Sequence, residues 1–133
     1  MAFGLYFLFL FLRFMRVNTH IEKKPWGEFE VFTPFTVPSR FEAIKVITVN
    51  PDSELSLQYH DKRDEFFKII GGRGQVRVGE DLFDAKEGDE FFIPKKTRHQ
   101  VLTTDSVLKI LEISFDEFDE NDIVRLKDKY GRV

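Results

Sequence analysis

The chain has 133 residues, a formal net charge of -3 at pH 7 and no cysteine, and 16 of its residues are phenylalanine. This length fits one domain with a buried core. The lack of cysteine excludes disulfides, thiolate metal ligands and a cysteine nucleophile. The slightly acidic charge gives no electrostatic case for binding nucleic acid. We expect a cytoplasmic protein in which any metal site uses nitrogen and oxygen ligands.

The chain begins with an uncharged apolar run, Ala2–Leu12. A membrane-spanning helix needs roughly 20 apolar residues, and a secretory signal needs a basic segment before its apolar part, so neither interpretation fits. Two interpretations remain open. Either residues 1–19 form an extension that adds a strand at a dimer interface, or the start is misassigned and translation begins at Met15. We predict the interface strand, a folded domain over residues 20–133, a homodimer and no contact with a membrane.

The rest of the chain consists of short apolar or alternating segments separated by turn residues, which is typical of an all-β sandwich or barrel. One glycine turn is predicted at residues 71–74, between two of the strands. A short C-terminal helix is predicted in the segment DENDIVRLKDKY, because its acidic start and basic end suit the helix dipole. Strands are predicted at GEFEVF, at residues 41–49, up to residue 60, at 65–70, at 73–78, after 81, at FFIP, at 99–104 and at 107–114.

Four side chains form a candidate metal site. Gln58 and His60 are two residues apart in an alternating segment, so they face the same side of a strand. Glu65 can reach the same point if the chain folds back as a hairpin, and His99 can reach it if its strand pairs beside that of His60. Two imidazoles, a carboxylate and an amide oxygen suit zinc, cobalt, nickel, manganese or iron. The alternative is that each histidine is structural and that Gln58 is a surface residue.

Two segments, LSLQYHDKRDE and GDEFFIPKKTRHQVLT, resemble the two sequence motifs of the cupin superfamily. The chain departs from these motifs at Gln58, Lys96 and Thr103, where cupins usually have His, Gly and Asn. Together with KPWGEFEVF and ENDIVRLKDKYGR, these segments resemble the C-terminal cupin domain of type II phosphomannose isomerases. The resemblance covers Lys24–Arg132. It implies a double-stranded β-helix, which is a jelly-roll barrel, with a divalent metal ion inside.

The resemblance also implies a function, the interconversion of mannose 6-phosphate and fructose 6-phosphate through an enediol. Such a reaction needs a base and a positive centre near the enediolate oxygens; the base is left open between a side chain and a hydroxide supplied by the metal. Arg63 and Lys45 match family positions and are the predicted catalytic residues. Arg125 and Arg132 match the family tail and are predicted to bind the phosphate, because a guanidinium donates two hydrogen bonds to it. Arg98, in a basic loop beside the second motif, is a further candidate.

Departures from the family keep two other functions open. The family sequence HHH is HDK here, at residues 60–62, and Phe66 stands where the family has a histidine. If those imidazoles take part in catalysis, the chain binds a sugar phosphate without efficient turnover. The alternatives are an isomerase or epimerase of a nucleotide-linked sugar with little metal dependence, and a non-enzymatic cupin that binds a sugar or a metal. Guanylyltransferase activity is not expected, because no glycine-rich nucleotide loop is present.

Overall fold

The computed structural model describes residues 19–32, 41–115, 119 and 121–133. Within these ranges the chain forms ten strands and no helix, which confirms the all-β prediction, and it contains no helix that could cross a membrane. The predicted interface strand at the N-terminus lies outside the described residues. The strands are β1 (Thr19–Lys24), β2 (Gly27–Phe32), β3 (Phe41–Val49), β4 (Leu57–Tyr59), β5 (Glu65–Val78), β6 (Asp81–Lys86), β7 (Glu90–Ile93), β8 (His99–Leu102), β9 (Leu108–Phe115) and β10 (Val124–Lys127).

The strands form two antiparallel sheets that share β5. The first half of β5 lies between β9 and β7, in a sheet with the order β1-β2-β3-β9-β5-β7. Its second half lies between β8 and β6, in a sheet with the order β10-β4-β8-β5-β6. Side chains from both sheets form one core, as expected for a jelly roll. The largest buried members include Trp26, Phe67, Ile69, Ile93, Leu108 and Ile110.

The predicted glycine turn at residues 71–74 is wrong. These residues lie in the middle of β5, which runs for 14 residues without reversing. Gly72 has a φ of +71°, and a β-carbon there would lie 1.7 Å from the carbonyl oxygen of Val107. The pairing of β5 with β9 also shifts register between Ile69 and Gly71. The glycines therefore let β5 bend from one sheet into the other while it passes close to a neighbouring backbone.

The predicted C-terminal helix is also wrong, because the tail forms β10 and pairs with β4. Ile123 and Arg125 are half-buried, whereas Val124 between them is exposed. This alternation has the period of a strand, and pairing with β4 satisfies backbone groups that an open edge would expose. Tertiary pairing therefore outweighs the helix-like order of charges. It also places Arg125 opposite Gln58.

Candidate metal centre

Three of the four predicted ligands meet in one buried cluster. His60 directly follows β4, Glu65 begins β5 and His99 begins β8, so three different strands position these side chains. Their nearest ligand atoms all lie within 4.8 Å of one another. Oε1 of Glu65 contacts Nε2 of His60 and lies 3.6 Å from Nε2 of His99. The predicted hairpin between β4 and the strand of Glu65 is not formed, because Glu65 enters the cluster from β5 in the first sheet. The three side chains can together hold a metal ion.

Backbone carbonyls fix the orientation of both imidazoles. Nδ1 of His60 donates to the carbonyl of Asp122 at 2.6 Å, and Nδ1 of His99 donates to the carbonyl of Thr97 at 2.9 Å. Because each Nδ1 donates to a carbonyl, Nε2 is the nitrogen that faces Glu65, and in the neutral imidazole it carries the lone pair that a metal ion binds. Nε2 of His99 is buried without a hydrogen-bond partner among the described residues. A bound metal ion would satisfy this atom, so the donor set fits such an ion.

Gln58 lies beside the cluster. It is opposite His99 in the pairing of β4 with β8, and it lines the same cavity as His60 and Glu65. Its Oε1 accepts a hydrogen bond from Oγ of Ser56 at 2.8 Å. An amide oxygen held in this way can add a weak fourth ligand, and its role as a ligand remains a prediction.

The electrostatics of the cluster favour the protonation states that metal ligands need. Burial raises the pKa of Glu65, but the hydrogen bond with His60 and the charges of the two imidazoles outweigh it, so its pKa lies well below the usual value. Burial lowers the pKa of His99, and the charge of Glu65 opposes this effect only in part. The carboxylate is thus ionised, and burial disfavours the protonated form of His99; both effects favour metal binding.

A cavity of about 90 Å³ adjoins the cluster, and most of the basic residues predicted for the site line it. Two of them are buried, Lys45 on β3 and Arg63 in the turn before β5. The tail supplies the other two. The cavity is lined by five Lys and Arg residues, namely the predicted Lys45, Arg63, Arg125 and Arg132 and also Lys24, together with Gln58, His60 and Glu65.

Arg63 links the metal cluster to the tail. Its Nη1 donates to the carbonyl of Asp119 at 2.9 Å, and its Nη2 lies 3.3 Å from Nε2 of His60. Its Nε is 3.6 Å from Oε1 of Glu65. The guanidinium therefore places a fixed positive charge at the buried end of the cavity.

The remaining predicted arginines lie in different environments. Arg132 is held by two parallel hydrogen bonds of 2.9 Å from its guanidinium to the carboxylate of Asp128. This pairing fixes its planar group at the edge of the cavity. Arg98 is exposed and pairs with Glu80 on the outer surface, so the structure does not bring it to the cavity.

Glu112 is a buried acidic residue of the cavity that the prediction does not include. Glu112 lies on β9 and is opposite Lys45 on β3. Burial and the negative charge of Glu65 raise the pKa of Glu112 well above its usual value. The signal was present in the alternation of the segment VLKILEIS, because Glu112 is in phase with the buried Ile110 and Ser114.

The departures from the family pattern lie away from the cavity. Asp61 and Lys62 are exposed in the turn between β4 and β5. Phe66 lies between the inward-facing Glu65 and Phe67 on β5, so its side chain points to the other face of the sheet. None of the three departures is among the described residues that line the cavity.

Comparison with known sequences identifies relatives of this chain. The family described as mannose-6-phosphate isomerase C-terminal matches residues 15–128. The chain is 35% identical over 132 residues to mannose-1-phosphate guanylyltransferase of Klebsiella pneumoniae, covering 91% of this chain and 27% of that protein. It is 33% identical over 112 residues to the alginate biosynthesis protein AlgA of Pseudomonas aeruginosa, covering 83% and 22%. The chain therefore spans about a quarter of the length of the curated relatives it matches.

Solved structures with the same fold include three cupin-like proteins. Oxalate decarboxylase of Bacillus subtilis superposes with a TM-score of 0.73 at 22% identity, over 87% of this chain and 32% of that one. The capsular polysaccharide assembling protein CapF of Staphylococcus aureus gives 0.68 at 17%, over 84% and 35%. A cupin-2 domain of Rhodospirillum rubrum gives 0.65 at 21%, over 80% and 78%. These likenesses confirm the predicted cupin fold. The match over residues 15–128 shows that the chain belongs to the mannose-6-phosphate isomerase C-terminal family.

Proposed function

We propose that this chain forms a metal-dependent centre that interconverts mannose 6-phosphate and fructose 6-phosphate. One observation carries the proposal: the buried cluster of His60, Glu65 and His99 adjoins a cavity lined by five Lys and Arg side chains. An isomerase of sugar phosphates needs a positive centre for the enediolate and cations for the phosphate. The metal cluster and the basic side chains around this cavity support both roles, and the family match supports the same substrate class.

The cluster supplies the place for the metal. A divalent ion held by His60, Glu65 and His99, with Gln58 beside them, would stabilise negative charge that develops on the sugar oxygens. Zinc, cobalt, nickel, manganese and iron all suit these nitrogen and oxygen donors. The chain's own part is to keep both Nε2 atoms and one carboxylate oxygen directed at a single point, away from water.

Buried donors would act on the reacting end of the sugar. Lys45 and Arg63 are each about 6% exposed and line the cavity next to Glu65. In this proposal they donate hydrogen bonds to O1 and O2 of the substrate and stabilise the enediolate. Their burial strengthens that effect, since a charge interaction in a site of low dielectric is stronger than in water.

The tail would hold the phosphate. Arg125 on β10 and Arg132 approach the cavity from the tail, and Asp128 fixes the guanidinium of Arg132. The cavity volume of about 90 Å³ is below the roughly 300–1,000 Å³ of pockets that enclose a whole small molecule. We therefore assign the cavity to carbons 1 and 2 of the sugar, with the phosphate outside it at the two arginines.

The proposal does not extend to guanylyl transfer. The relatives named mannose-1-phosphate guanylyltransferase are about four times as long as the region that this chain matches. We assign the transferase activity of those relatives to the part of their sequence that this chain does not cover.

A coupled assay tests the proposal. The protein is stripped with a chelator, and each of the five metal ions is added back with mannose 6-phosphate as substrate. Turnover is expected only with metal. Arg132→Ala is expected to raise KM, while Arg73→Ala, on an exposed pair with Asp105, serves as the control. Absence of turnover with every ion would overturn the proposal, and stoichiometric metal without turnover would favour a non-enzymatic metal-binding cupin.

A further inference from the structure

Asp122 in the tail makes three hydrogen bonds to three successive residues of the turn between β4 and β5. Its Oδ1 accepts from the backbone N–H of Asp61 at 2.9 Å, and its Oδ2 accepts from that of Lys62 at 3.0 Å. Its own carbonyl accepts from Nδ1 of His60 at 2.6 Å. Asp122 is only 9% exposed and belongs to none of the strands. Nothing in the function proposed above uses its carboxylate.

Hydrogen bonds from two segments restrain the turn between β4 and β5. Arg63 donates to the carbonyl of Asp119, so each of the residues 60–63 is bonded to the tail. The N–H of Asp122 donates to the carbonyl of Asp119 at 2.9 Å, which closes the tail into a turn of its own. From the other side, the N–H of Lys96 donates to the carbonyl of His60 at 2.6 Å. His60 therefore sits between two segments that each restrain its backbone.

The Asp122 carboxylate uses both of its oxygens, because Oδ1 accepts from the N–H of Asp61 and Oδ2 from the N–H of Lys62. Hydrogen bonds to an ionised carboxylate are stronger than those between neutral groups. Removing it would leave two N–H groups of the turn without their acceptor.

We propose that Asp122 is a positioning residue of the metal centre. Its carboxylate holds the turn so that its carbonyl can fix the Nδ1–H tautomer of His60 and direct Nε2 toward Glu65 and His99. The metal affinity of the barrel thus depends on the C-terminal tail, which lies far from the ligands in sequence. The inference rests on the metal-binding part of the proposed function and is independent of isomerisation.

Two substitutions test the proposal. Asp122→Asn keeps one acceptor oxygen, and Asp122→Ala keeps none, so their effects should be graded. Asp128→Asn is the matched control, because Asp128 is also a tail carboxylate but bonds to Arg132. Affinity for Zn²⁺ is measured by competition with a chelator, and absorption of the Co²⁺ form reports the coordination. We expect a loss of about tenfold for the Asn variant and about 100-fold for the Ala variant, since partners that orient metal-binding histidines contribute on this scale.

The tautomer of His60 gives a readout that a general loss of stability would not move. In ¹⁵N spectra of the Zn²⁺-bound protein, His60 is expected as the Nδ1–H form in the wild type and as a mixture of tautomers in Asp122→Ala. If the Ala variant does not fold, the Asn variant carries the same test. Unchanged Zn²⁺ affinity, or an unchanged tautomer beside a lowered melting temperature, would overturn the inference.

The outcome is separable from that of the isomerase assay. Tight Zn²⁺ binding that depends on Asp122, without turnover of mannose 6-phosphate, would leave the positioning role standing and defeat the proposed isomerase. A wild-type protein that binds neither Zn²⁺ nor Co²⁺ would overturn the metal centre and the role of Asp122 together.

Discussion

Gln58 on β4 lies directly opposite His99 on β8 in the antiparallel pairing of these strands. Residues opposite each other in such a pair have β-carbons about 4.5–5.5 Å apart and point to the same face. The pairing thus places an amide beside an imidazole whose Nε2 is buried without a hydrogen-bond partner in the described part of the chain. The two sequence motifs, distant along the chain, become one site through this contact.

The two residues should contribute unequally to metal binding. We expect His99→Ala to abolish stoichiometric metal content, because it removes a neutral nitrogen ligand that is already oriented by the carbonyl of Thr97. Gln58→Ala should weaken binding less, since an amide oxygen is a weak ligand. Metal per chain after dialysis is the measurement, with circular dichroism to show that the barrel remains folded. His20→Ala, on the exposed β1, is the control, and unchanged metal content in His99→Ala would remove His99 from the site.

Much of this site could be predicted from the sequence because the alternation of strands is a local property. The spacing of Gln58 and His60 places both on one face, and the order of the two motifs brings His99 to the same point. Glu112 was missed for a different reason. Charged residues in a strand are usually exposed, and only the phase of its neighbours Ile110 and Ser114 marks it as inward.

The two mistaken elements share a cause that lies outside local sequence. Glycines commonly end a strand, yet Gly72 lies inside β5. A glycine is needed there because the carbonyl oxygen of Val107, on a distant loop, leaves no room for a β-carbon. The tail carries helix-like charges, yet it becomes β10 because β4 offers an edge to pair with. Long-range contacts decided both cases, and propensity is a weak guide where such contacts exist.

Phe66→His would restore the imidazole that the resembling family has at this position. We expect little change in kcat/KM for mannose 6-phosphate, because the side chain of Phe66 points away from the cavity and lies opposite Phe92 and Ile113. A substitution outside the site usually changes free energies by less than about 0.5 kcal/mol, which corresponds to roughly twofold in rate. Glu65→Gln is the positive control and should remove metal binding. A gain of tenfold or more in Phe66→His, by the rate relation, would show instead that the outer face takes part in catalysis.

The pair of Asp128 and Arg132 predicts a pH dependence of stability. The hydrogen bonds from Arg132 hold the pKa of Asp128 below its usual value. A lowered folded-state pKa contributes stability that is present above the unfolded value of about 3.9 and is lost as the pH falls through the folded value. Asp128→Asn should therefore lower the free energy of unfolding at pH 7 by about 1 kcal/mol, and the difference from the wild type should shrink as the pH falls below about 3.9.

Urea unfolding with a chelator present, at pH 7, 5 and 3, measures this difference. Asp105→Asn is the comparison, because Asp105 pairs with Arg73 on the exposed surface and should contribute less. A difference for Asp128→Asn that stays constant over this pH range would mean that the ion pair is not the source of its effect.

We expect Gly72 to tolerate replacement poorly, and Gly79 offers a matched control in the same chain. Gly72→Ala meets two penalties, a left-handed backbone with a φ of +71° and a β-carbon 1.7 Å from the carbonyl oxygen of Val107. Gly79 has a similar φ of +61° but no atom within 4 Å of the added carbon. We expect Gly79→Ala to lower the free energy of unfolding by about 1 kcal/mol and Gly72→Ala to lower it by about 3 kcal/mol or more. Urea unfolding measures both values. Equal losses would mean that the loop at Val107 moves aside freely, and the bend of β5 would then not depend on a close approach at Gly72.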